Sequence, residues 1–287
     1  MDAKALILLA LQIAIAGTVF TYGLQANRDD LLYVVQRPGL LLRSLIAMLV
    51  LMPLLVVACV YFLDLPQQTA VVLTALAVSP VPPMLPKKQK KAGGLAPYGL
   101  GLLVVLALVS IVTVPLSIML VDWLFAMPRG IGPAAIMKIV LTMIIAPLVL
   151  GLLVAKLMPG IAQALFMPVR RVATLLLLAG ILMLLVGTWH AILSSAGQWN
   201  VLAIVAFVVA GLVIGHWLGG PAPEHAAVLA LSTASRHPAI ALAISAANYP
   251  GEQFAPTLAL YLILCTILAI PYVKWQRRRS SLSSGTP

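Results

Sequence analysis

PEHAAVLALSTASRHPAIALAISAA, residues 223–247, is apolar for long enough to cross a bilayer, yet Arg236 and His237 stand at its middle and Pro238 follows at once. Arg236 lies roughly 14 residues into the segment, about 20 Å along a helix and so near the centre of a ~30 Å hydrocarbon layer. A guanidinium at that depth costs at least about 2.5–3.5 kcal/mol on insertion scales. Pro238 removes a helix donor and disfavours the α conformation at His237, so the spacing predicts an interrupted helix beside the charge. Inside a membrane, such an interruption is tolerated only where protein or a water-lined cavity surrounds it. A binding site fits that description.

Composition agrees with a membrane setting. The 287 residues are 62% hydrophobic and 9% charged, with a mean hydropathy of +1.10. A soluble domain of this size has no way to hide so much apolar surface. The net charge of +11 does not point to nucleic acid, because the basic residues cluster between apolar runs instead of alternating with aromatics. Cys59 and Cys265 sit in separate apolar segments and read as packed thiols, outside any disulfide or metal framework. The first apolar run is too long for a signal-peptide core and reads as a first span.

Nine apolar segments follow one another, at about 5–24, 38–63, 68–90, 95–123, 133–158, 171–190, 199–219, 222–247 and 254–275. The fold class expected is all-α, a polytopic membrane protein of nine spans. Fourteen basic residues fall on one face if the spans alternate: Arg28, Arg37, Arg43, Lys87, Lys88, Lys90, Lys91, Lys156, Arg170, Arg171, Lys274, Arg277, Arg278 and Arg279. The positive-inside rule then places the N-terminus outside and the C-terminus in the cytoplasm of a bacterial inner membrane. Residues 276–287, rich in Arg and Ser, read as a disordered tail.

A second interruption is written into the third segment, where Pro80, Pro82, Pro83 and Pro86 crowd into seven residues. The two broken segments are five spans apart, an offset that reverses membrane direction and suits inverted repeats. All seven acidic residues lie at span ends or in loops, which leaves Arg236 no carboxylate partner at depth. Two readings stay open for it. Free carbonyls at a broken helix end can satisfy it, or an anionic ligand can take its bidentate fork. His237 can donate to the same ligand, titrate, or be satisfied by a freed carbonyl. Ser79, Ser232, Thr233 and Ser235 bring hydroxyls to the breaks. The candidate substrate-binding set is therefore Arg236, His237, Ser232, Thr233, Ser235 and Ser79. No hydrolase elbow, zinc spacing or paired magnesium carboxylates suggest an enzyme, a metal or a cofactor.

The chain resembles the bile acid:sodium symporter family. The likeness rests on Gly23–Leu55 with its Arg37-Pro38 and Met52-Pro53 pairs, on the proline-rich break from Ser79 to Pro86, and on Ser232–Ser245. It implies a single transporter domain over residues 1–275. Spans at about 5–24, 133–158 and 171–190 would form a panel; those at about 38–123 and 199–275 would form a core in which the broken helices cross. Alternating access for a small organic anion would follow. The departures are specific. Where sodium-coupled members carry oxygen ligands for the ion, this chain aligns Ser232, Arg236-His237, Met48, Pro83–Leu85, Leu103 and Ala107. A hard cation wants several oxygens, so the expectation is sodium-independent transport, proton-linked through His237 or uncoupled. The alternatives are a sodium-coupled symporter and a membrane ligand sensor that does not translocate.

Overall fold

The computed structural model describes residues 3–26, 28–63, 65–125, 138, 141–187, 189–195, 197–249 and 252–283. Among these every regular element is helical. Helix α1 covers Ala3–Gln25 and a short α2 covers Arg28–Leu32. Helices α3 (Pro38–Leu45) and α4 (Met52–Phe62) are joined by a π-helical turn at Ile46–Leu51 into one long rod. The third segment divides into α5 (Gln67–Val78) and α6 (Leu85–Lys91), and α7 runs from Ala96 to Phe125. A second π-helical turn, Leu141–Ile145, leads into α8 (Ala146–Leu157). Then come α9 (Pro159–Gly187), α10 (Trp189–Ser195), α11 (Gln198–Leu218), α12 (Pro223–Ala234), α13 (Pro238–Asn248) and α14 (Ala255–Ser283).

Four stretches are long and apolar enough to cross a membrane unaided: Pro38–Phe62, Pro159–Gly187, Trp199–Leu218 and Ala255–Ser280. Shorter apolar helices cover Leu9–Gln25, Gln67–Val78, Ala96–Ser110 and Leu141–Leu157. Helix α9 shows how they meet their surroundings. Leu175, Leu178, Leu182, Met183 and Val186 are exposed on one face, while Ala173 and Leu177 are buried on the other. Such an apolar exterior suits lipid and would aggregate in water.

Two boundaries differ from the sequence expectation. The loop expected between 158 and 171 is absent, because only Met158 separates α8 from α9. Pro159 starts the new helix at the position where its missing N–H costs nothing, and Pro168 lies inside it. The tail expected to be disordered from residue 276 is helical to Ser283; Gln276 is buried and its Nε2 donates to the Pro223 carbonyl, which ties the helix to the start of α12. Residues 133–137 and 139–140 of the expected fifth span, Asp64 and Arg129 lie outside the described residues.

Because lipid tails are as apolar as leucine, packing between membrane helices depends on close backbone approach. Helices α11 and α12 achieve it with two matched stripes. Gly211, Gly215 and Gly219 face Ala234, Ala230 and Ala226, and a Cβ on Gly215 would lie 2.5 Å from the Ala230 Cα. Helices α1 and α8 meet through Gly23 and Gly151, where a Cβ on Gly23 would reach the Leu148 carbonyl oxygen at 2.4 Å. Helix α9 completes this second group, packing on α1 where Gly17 meets Ala173 and Gly180 meets Leu11.

Substituting Gly215 by Leu should therefore force α11 off α12 and destabilise the protein by about 1–3 kcal/mol or more. Gly160, with nothing within 4 Å of its would-be Cβ, should accept Ala without loss. Thermal unfolding of the purified variants in detergent is the check; equal stability of Gly215→Leu and wild type would remove the stripe from the account.

Candidate functional site at the helix crossing

Both interruptions are built alike. Helix α5 ends at Val78, Ser79 is extended (φ −73°, ψ 145°), and Pro80 follows. Helix α12 ends at Ala234, Ser235 is extended (φ −105°, ψ 117°), and His237 is extended before Pro238. A residue before proline is pushed out of the α region, and Pro238 then sits where α13 begins. The chain leaves the helix for six residues at the first break, 79–84, and for three at the second, 235–237, before re-entering it.

The two breaks touch. The His237 amide donates to the Pro80 carbonyl at 2.9 Å. The Arg236 guanidinium reaches across the same junction, Nη1 donating to the Ser79 carbonyl at 3.2 Å and Nη2 to the Met48 carbonyl at 2.7 Å. Arg236 is 1% exposed. Its partners among the described residues are carbonyl oxygens, and Nε is left without one. The Ser79 carbonyl lies at the C-terminal end of α5, where the helix dipole favours a cation.

The Met48 carbonyl is free for a reason written in the sequence. In the π-helical turn the Met52 amide bonds back to Ala47, five residues earlier. The next amide in that pattern would serve Met48, but residue 53 is proline and has none. Arg236 supplies the missing donor. This partner is invisible to a motif reading of 223–247; the Met52-Pro53 pair is the signal that could have found it.

The amides of Ser79, Ser235 and Arg236 are paired as well. Ser79 donates its hydroxyl to the Ala75 carbonyl at 2.6 Å and its amide to Leu76 at 3.1 Å. The Ser235 amide donates to Leu231 at 3.0 Å. Tyr261 accepts from the Arg236 amide at 2.7 Å and donates to the Ala234 carbonyl at 3.1 Å. Cys265, expected as an inert packed thiol, lies 3.4 Å from the Ser235 hydroxyl and 3.7 Å from the Ala234 carbonyl. These pairings meet the demand a membrane makes on a broken helix; among the described side-chain atoms of the junction, Arg236 Nε and His237 Nε2 stay without a partner.

All six candidate substrate residues are buried. Ser79, Ser235, Arg236 and His237 come together at the junction. Ser232 and Thr233 lie up the last turn of α12 and face other partners: Thr233 donates to the Leu229 carbonyl at 2.8 Å, and Ser232 accepts from Gln89 Nε2 at 2.8 Å. His237 is the N-cap of α13, its Nδ1 accepting from the Ile240 amide at 3.4 Å. Of the proline set, Pro80 supplies the acceptor for His237, Pro82 and Pro83 lie in the connection, and Pro86 and Pro238 open α6 and α13.

Gln89 was not foreseen. It is the one uncharged residue within Lys87–Lys91 and it turns inward, also donating to the Val228 carbonyl at 3.1 Å. Gly99 makes room for it, since a Cβ there would stand 2.4 Å from Gln89 Oε1. The side of the crossing that faces α1 and α9 is apolar: Met84 and Ala239 pack with Leu11, Ala14, Ile15, Leu176, Leu177 and Ile181.

A model of the sodium bile acid symporter family matches residues 12–195. The chain belongs to that family. It is accordingly a multi-pass membrane protein of the bile-acid-symporter transporter type. The match spans the first break and stops short of the second. No curated protein matches the chain.

Replacing Arg236 by Met should strand the Ser79 and Met48 carbonyls and destabilise the protein by about 1–3 kcal/mol for each buried acceptor. Pro53→Ala restores an amide that can serve Met48. The double variant should then be about 1 kcal/mol more stable than the sum of the singles. Unfolding of all four proteins in detergent reads this out; strict additivity would disconnect Pro53 from Arg236.

Proposed function

We propose that this member of the family carries a small amphipathic organic anion by alternating access without sodium. The observation that carries the reading is the Arg236 guanidinium, hydrogen-bonded to both Ser79 and Met48 at the crossing. Met48, Ser232 and Arg236-His237 are positions at which the family resemblance implies sodium ligands. In place of an ion drawn from solution, a fixed cation bridges the two broken segments. Positive charge is present at the crossing whether or not sodium is.

The anion feels that charge without touching the guanidinium, whose Nη1 and Nη2 groups are turned to carbonyls. Two unit charges about 10 Å apart at an effective dielectric constant of about 20 interact by about 2 kcal/mol. The ligand's apolar body would meet Met84 and Ala239, where the crossing packs on α1 and α9. Helices α1, α8 and α9 form the panel and the remaining spans the core, in a nine-span arrangement of inverted repeats with the N-terminus outside and the basic C-terminal end in the cytoplasm. His237 supports the uncoupled form of transport, because protonating Nδ1 would forfeit the cap on α13.

Uptake of labelled organic anions, beginning with a bile salt, into proteoliposomes tests this. Replacing sodium by potassium should change the rate less than twofold, and an imposed proton gradient should not drive accumulation. Arg236→Met should lower uptake about tenfold or more, and Arg236→Lys should restore part of it. A steep sodium requirement would defeat the proposal; full uptake by Arg236→Met would reduce the arginine to a structural tie. Counterflow of labelled substrate separates transport from mere ligand sensing.

A further inference from the structure

A half-open cavity of about 420 Å³ is lined by His216, Trp217, Gly220, Pro221, Pro223, Ala226 and Arg279. It sits where the ends of α11 and α14 meet the start of α12, and the Gln276–Pro223 tie holds those elements together. Arg279 supplies a cation from the wall, its guanidinium 5.0 Å from the Trp275 ring centre. A second cation stands at the rim, because a Cβ on Gly220 would lie 2.8 Å from Arg43 Nη1. Gly220 itself has φ +85°, a conformation that suits glycine. The His216 ring is oriented by the Tyr272 hydroxyl, 3.0 Å from Nδ1. None of the lining residues is acidic; Glu224 follows Pro223 in the chain but is not part of the wall.

Trp217 beside the cavity is 80% exposed. Tryptophan gathers at the level of lipid headgroups, and a basic pocket between helix ends at that level is suited to a lipid phosphate. We propose that this cavity binds a phosphate group, that of an acidic phospholipid headgroup, between Arg279 and His216. At about 420 Å³ the site falls at the small end of the ~300–1,000 Å³ range of ligand pockets, room enough for a glycerophosphate moiety. Arg43, Lys274, Arg277 and Arg278 raise the local concentration of anions, while the cavity selects a phosphate that can enter it.

Native mass spectrometry of the detergent-purified protein, titrated with phosphatidylglycerol or phosphatidylcholine, provides the test. Phosphatidylglycerol should be retained preferentially. Arg279→Ala should weaken its binding about fivefold, the effect of one basic contact near a membrane surface. Arg279→Lys should keep most of it. Arg277→Ala, which removes the same charge outside the cavity, should weaken binding less than twofold. A parallel thermal-shift titration with inorganic phosphate identifies the source: protection that Arg279→Ala abolishes confirms the anion site and assigns it to the free ion. Equal retention of the two lipids with no phosphate effect, or equal losses for Arg279→Ala and Arg277→Ala, overturns the proposal.

Discussion

A single guanidinium holding carbonyl oxygens from two different helices is the constraint from which the crossing follows. Arg236 cannot leave without exposing the Ser79 and Met48 carbonyls to an interior that offers no water. Nor could those carbonyls be satisfied locally, since one ends a helix and the other faces a proline. Burying a cation this deeply is costly in itself. Two hydrogen bonds and the C-terminal end of α5 offset that cost, and the 2.9 Å bond from His237 to Pro80 fixes the two extended stretches against each other.

The rest of the fold can be understood as bringing those atoms into register. The glycine–alanine stripes press α11 onto α12, which sets the depth at which α12 stops and Arg236 emerges. Tyr261 then receives the Arg236 amide and returns its own proton to the Ala234 carbonyl. Gln89 spans from α6 to Ser232 and Val228, so the short helix after the first break is tied to the helix before the second. Each half of one interruption is thereby fastened to a half of the other.

What was legible in the sequence was local chemistry. Proline dictates its own backbone and its neighbour's, so the breaks at Ser79–Pro86 and at Ser235–Pro238 could be placed to within a residue or two. What required coordinates was the identity of distant partners. The choice between a carbonyl and a ligand for Arg236 stayed open because Met48 lies 188 residues away. Gln89 was hidden by its lysine neighbours, although an uncharged residue amid four cations is itself a clue to an inward face. The span boundary expected at about 158 is no loop, because Pro159 starts α9 there. The tail lacked any apolar period to announce a helix, and one buried glutamine holds it. Of function, the family was readable from ordered motifs; the anion and its coupling were not.

The π-helical turn at Ile46–Leu51 has a consequence for how this site could be lost. Such a turn amounts to one surplus residue in an otherwise regular rod. Deleting one of its members would let the rod close into ordinary helix with both ends kept in register. Loss of Leu49, Val50 or Leu51 would leave Met48 four residues before the proline, still without an amide. Loss of Ile46 or Ala47 would instead let the Met52 amide take Met48 in the ordinary i−4 pattern, so a one-codon deletion outside the crossing would draw one acceptor away from Arg236.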